Sequence, residues 1–117
     1  RRQRQMCIRD STARFYWLAS SSSGDVVWSI QGRAFSNDDA FAQSFGTEQT
    51  VTDTMTATND VNISDFTSAM TLAGTPADAD LIVFQVNRNA SDGNDTLGAD
   101  AKLLAIVFTY TLDASTT

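Results

Sequence analysis

Four oxygen-bearing side chains fall close together in one stretch: Asp92, Asn94, Asp95 and Asp100, within SDGNDTLGAD. Hard carboxylate and amide oxygens at close spacing are what calcium binds, so this loop is the candidate metal site. It lacks the spacing and terminal glutamate of an EF-hand loop, and the competing reading is an acidic turn with solvated carboxylates. A glycosidase needs two carboxylates flanking its bond, and the only adjacent pair of acids here is Asp38 and Asp39. Neighbouring residues on a loop rarely converge on one substrate, so no catalytic residue is assigned and the chain is expected not to be an enzyme. The sequence has no histidine, which excludes Ser-His-Asp and Cys-His nucleophiles and histidine-ligated metals. It has no glycine-rich phosphate cradle either, and no cofactor is expected. Phe15, Tyr16, Trp17 and Trp28 could form a sugar-stacking shelf. Consecutive strand residues point to opposite faces, however, so Trp28 and one face of the 15–17 run are expected in a core.

The elements that must position these residues read as strands. LIVFQV (81–86) and LLAIVFTYTL (103–112) flank the acidic loop. In the second run Ile106, Phe108 and Tyr110 alternate with Leu103, Ala105 and Val107, leaving both faces apolar or strand-forming. A strand with one wet face alternates more cleanly, so this one is expected to be covered on both sides, inside a sandwich or by a neighbouring subunit. Leu103, Ala105, Val107, Leu81 and Val83 are therefore the candidate interface residues. Upstream, ARFYWLA (13–19) and DVVWSIQGRAF (25–35) are strand formers, the latter with Val26, Trp28 and Ile30 on one face. AFAQSFGT (40–47) is a loop or short helix, EQTVTDTMTA (48–57) a Thr-rich strand, and VNIS (61–64) and DFTSAMTLAG (65–74) are further short strands. Seven or eight short strands with almost no helix predict an all-β fold, an antiparallel, jelly-roll-like β-sandwich. The acids are thirteen Asp and one Glu, Glu48, a bias toward turns and away from helices.

The 117 residues are read as a single β-sandwich domain over 12–117. One cysteine, Cys7, forbids an internal disulfide framework. A net charge of −6 argues against phosphate-backbone binding, and no apolar run reaches transmembrane length, so neither nucleic acid nor membrane is expected as a partner. Residues 1–11, RRQRQMCIRDS, hold four of the eight basic residues. MCIRDS is what ATG-TGT-ATA-AGA-GAC-AGN encodes, the end of a transposase-based sequencing adapter. Residues 1–11 are accordingly expected to be non-native or disordered, the alternative being a genuine basic arm.

From Gly24 onward, GDVVWSIQGRAFSNDDAF, FGTEQTVTDT and SAMTLAGTPADADLIVFQVNRNASDGNDTLGADAKLLAIVFTYT follow in order. This resembles a group of tailed-bacteriophage virion proteins known mostly from genomes and metagenomes. They share a Trp-bearing strand, FGT-x-x-x-VTDT, a G-T/S-P-A turn before an apolar strand ending near an Arg (here Arg88), and D-x-x-DTL-x-x-DA-x-L. The resemblance covers about nine-tenths of the chain and supplies no catalytic residue. It implies a structural protein on the virion surface, made in the bacterial cytoplasm: a capsid decoration (cement) protein or a tail-fibre accessory. The expected partners are further copies of the chain, as a trimer, and the major capsid or tail proteins. A carbohydrate- or receptor-binding module of a tail protein, contacting a host-surface glycan, is the alternative. Loops 36–47 and 89–100, expected to cap the sandwich ends, are the candidate contacts in either case.

Overall fold

Runs rich in Val, Ile, Thr and aromatic residues fit a pleated, half-buried surface, and here they become strands. The computed structural model describes residues 6–21, 23–77 and 79–112, and among these it has six strands and no helix. They are β1 (Met6–Ala19), β2 (Asp25–Phe35), β3 (Gln49–Thr54), β4 (Asn62–Ile63), β5 (Leu81–Arg88) and β6 (Ala101–Leu112). The six strands pair antiparallel in two three-stranded sheets ordered β4-β1-β6 and β3-β2-β5, and one isolated parallel bridge joins Arg33 to Ala73. The chain is all-β, its two sheets packed face to face as in a β-sandwich.

The two central strands, β1 and β2, supply the core. Ala13, Phe15, Trp17 and Ala19 on β1 meet Val26, Trp28 and Ile30 on β2. Phe15 stacks on Trp28 with ring centroids 5.7 Å apart, and Trp17 meets Trp28 edge-on at 6.2 Å. Complete burial of a side chain such as Phe15 contributes roughly 1.5–3 kcal/mol. The opposite face of β2 is covered too, since Val27 and Ser29 are buried.

The structure has six strands where seven or eight were expected, and the clearest difference is 65–74. This segment follows the free edge of β1, advancing three residues for every two of β1. Ser64 N donates to Phe15 O, Thr67 N to Ala13 O and Met70 N to Ser11 O. A regular strand would offer carbonyls in return. Here hydroxyls replace them: Phe15 N donates to Ser64 Oγ (2.9 Å) and Ala13 N to Thr67 Oγ1 (3.1 Å). Every third side chain, Ser64, Thr67 and Met70, is buried. Side-chain acceptors thus satisfy the β1 amides without a ladder.

The 40–47 stretch is a loop, not a helix. At its end Gly46 N donates to Gly32 O (2.9 Å), so close to 71–73 that a Cβ on Gly46 would lie 2.1 Å from Thr71 O. Only glycine permits that approach. β1 starts at Met6, inside the segment expected to lie outside the domain, and Met6 and Cys7 pair with Leu112 and Thr111. The expectation for residues 1–5 falls outside the described residues.

Candidate functional site

The acidic loop between β5 and β6 is organised around an ion pair. Arg88, the last residue of β5, donates from Nε to Asp95 Oδ2 (3.0 Å) and from Nη2 to Asp95 Oδ1 (2.7 Å). This forked geometry matches a planar guanidinium to a carboxylate. Arg88 also donates to Leu97 O (2.8 Å) and Ala99 O (2.7 Å), while Asp95 Oδ2 accepts Val27 N (3.0 Å). The Asp95 side chain is 1% exposed and that of Arg88 18%. The hydrogen bonds from Arg88 hold the Asp95 carboxyl below the usual carboxylate range; burial opposes this and Val27 N–H assists. Reciprocally, Asp95 raises Arg88 above its ordinary value, against its own burial.

The next two residues continue the clasp. Thr96 Oγ1 accepts Asp25 N (2.9 Å), and Leu97 N donates to Asp25 O (3.0 Å) while its side chain is buried in the core. Facing it, Gly24 has φ +126°, and a Cβ there would lie 2.8 Å from Leu97 Cα. Arg88 and the DTL triplet, both part of the pattern that carries the phage resemblance, thus lock the β5–β6 connection onto the start of β2.

The calcium candidates are not brought together. Asp95 faces Arg88, Asp92 Oδ1 accepts Asn94 N (2.8 Å) to shape a turn, and Asn94 and Asp100 are exposed. Among the described residues no three acidic, His or Cys side chains converge on one point. Asp39 Oδ2 accepts Ser36 N (2.8 Å), a turn-shaping role for one member of the Asp38–Asp39 pair. Phe15, Trp17 and Trp28 are buried, which leaves Tyr16 alone of the proposed sugar shelf outside the core.

The candidate interface residues lie on three surfaces. Register shifts between Tyr16↔Ala105 and Trp17↔Leu103, so Leu104 is a β-bulge. The bulge puts Leu103 opposite inward-facing Trp17, while Ala105 opposes outward-facing Tyr16 and Val107 opposes Arg14. Strict alternation had grouped Leu103 with Ala105 and Val107; one extra residue separates them. Leu81 and Val83 pair with Phe35 and Arg33 and share the outer face of the other sheet.

One side of the sandwich remains open where β5 and β6 end their sheets. Phe84 and Phe108 stack across it at 4.5 Å, both only partly buried against the core. Elsewhere on these two edge strands, Leu103 is 38% exposed and Leu81 59%. Sequence reasoning did not find the Arg88–Asp95 pair. The available signal was scarcity: beyond residue 11 the only cations are Arg14, Arg33, Arg88 and Lys102, and a cation closing an apolar strand before an acidic loop has few other uses. Compared with protein-family models, curated proteins and solved structures, the chain matches none.

Proposed function

We propose that the chain is a non-enzymatic structural protein on the exterior of a bacteriophage particle, a capsid decoration protein or a tail-fibre accessory acting through oligomeric packing. The observation that carries this reading is the open β5/β6 side. Half-buried Phe84, Val86, Ile106 and Phe108 form the edge of a core that the single chain leaves uncovered. Apolar interface cores depleted in charge are typical of permanent assemblies. The motif order resembling tailed-phage virion proteins gives the location, and a trimer is the assembly proposed. A jelly-roll-like connectivity of the sandwich belongs to the same proposal.

The test is copy number, by quantitative mass spectrometry of purified particles of the phage encoding the chain. One copy per major capsid subunit identifies a decoration protein, and a few dozen or fewer per particle a tail component. Absence from particles overturns the proposal.

A further inference from the structure

The two outer faces of the sandwich differ in chemistry. On the sheet of β2 the exposed side chains are mostly polar, Thr50, Thr52 and Thr54 of β3 and Gln85 and Asn87 of β5, with Leu81 apolar at one end. The outer face of the β1 sheet mixes apolar residues with cations. Register aligns Ile63, Tyr16 and Ala105 in one row, and sets Arg14 beside Val107 and Leu18 beside Lys102. Ile63 is 51% exposed and Leu104 52%, and the Arg14 guanidinium lies 4.2 Å over the Phe66 ring. Among the described side chains, the strand residues of this face from Thr12 onward include two cations, Arg14 and Lys102, and no carboxylate, in a chain of net charge −6.

A second exposed apolar group has carboxylates at its tip, with the cation Arg33 over the Phe35 ring at 5.6 Å. Phe41, 68% exposed, stacks on Phe35 at 4.9 Å and follows the exposed carboxylates Asp38 and Asp39. The turn is fixed by Asp38 at φ 73° and by the Asp39–Ser36 hydrogen bond. We infer that the chain self-associates head to tail, the 38–41 turn of one copy lying on the Arg14/Lys102 face of the next. Apolar surface then meets apolar surface, and carboxylates meet cations. Two-fold packing of the β1 sheet against itself would bring Arg14 and Lys102 against their own counterparts. Contacts between unlike patches close into rings such as trimers when their rotation closes and run on as filaments when it does not. The trimer is the closed case, so this contact deepens the assembly reading above and rests on it. An anionic bilayer offers similar chemistry, but the net charge of −6 opposes its approach.

The test uses Phe41→Ser and Lys102→Glu, both at exposed positions, with thermal midpoints confirming that each variant folds. Sedimentation equilibrium at micromolar concentration is expected to show an oligomer for the parent chain and at least tenfold weaker association for each variant. An equimolar mixture restores one intact contact, between the turn of the Lys102→Glu chain and the face of the Phe41→Ser chain, and should yield a heterodimer and nothing larger. The inference is overturned by a monomeric parent chain, by either variant assembling like the parent, or by a mixture that stays monomeric. A monomer that co-sediments with phosphatidylserine vesicles would assign the face to lipid instead. A monomer abundant in particles would sink this contact and leave the proposed function standing; an oligomer absent from particles would do the reverse.

Discussion

Replacing Asp95 by Ala tests the clasp between β5, the acidic loop and β2. The substitution leaves the Arg88 guanidinium, 18% exposed, facing the space of a carboxylate that was 1% exposed, and leaves Val27 N–H without its acceptor. Removing one partner of a buried pair costs about 3–5 kcal/mol. Arg88 keeps the Leu97 and Ala99 carbonyls and some water, which places the pair at the low end, and the orphaned amide adds roughly 1 kcal/mol. A loss of about 3–4 kcal/mol follows, a large share of the roughly 5–15 kcal/mol typical of a domain. At roughly 4 °C per kcal/mol for this chain length, the midpoint should fall by about 12–16 °C. Urea unfolding followed by fluorescence of buried Trp17 and Trp28 measures this directly, provided the slope with denaturant is unchanged. Converting both Arg88 and Asp95 to Leu should recover most of the loss, because no uncompensated charge remains. The pH dependence has a definite sign. Because the folded Asp95 pKa is depressed, its contribution is complete above the ordinary aspartate value near pH ~4 and is lost as pH falls through the lowered one. Asp95→Ala should flatten the acid limb of the stability profile. A loss below about 1 kcal/mol, the range of exposed pairs, would refute the reasoning.

Ser64→Ala and Thr67→Val each remove the hydroxyl that accepts a buried β1 amide. Each should cost about 1–2 kcal/mol, with hydrogen exchange accelerated first at Phe15 for Ser64→Ala and at Ala13 for Thr67→Val. An unchanged exchange rate at both amides would mean that the hydroxyls are dispensable. Neither calcium nor EDTA should move the thermal midpoint, since Asp95 is committed to Arg88; a rise of several degrees with calcium would overturn that assignment.

The regular strands were legible because period-two alternation survives in the sequence. DVVWSIQGRAF became β2 with the expected ends, and Val26, Trp28 and Ile30 face the core. The bulge at Leu104 was not legible, since it sits in LLAIV, where either parity leaves apolar residues on both faces. The 65–74 stretch looked like a strand because Phe66, Met70 and Leu72 are apolar. Its true repeat of three is carried by Ser64, Thr67 and Met70, whose shared property is what they do to β1. The clasp joins the end of β5 to an irregular loop, where no regular periodicity applies. The open β5/β6 side was not legible, because pairing partners and sheet edges are set by topology, which alternation along one strand does not report.

The three-for-two path of 64–70 along β1 has a consequence for growth. A segment that advances out of step with the strand beside it presents no regular row of amides and carbonyls on its far side, so it cannot template another strand. Along Ser11–Phe15 the β1 sheet is therefore end-capped on this flank and, among the described residues, live at β6. A fibre needs two live flanks, one to receive and one to offer. With a single one, strand pairing through this sheet stops after one addition, and a chain with so apolar a β6 can sit at high local concentration without polymerising through it.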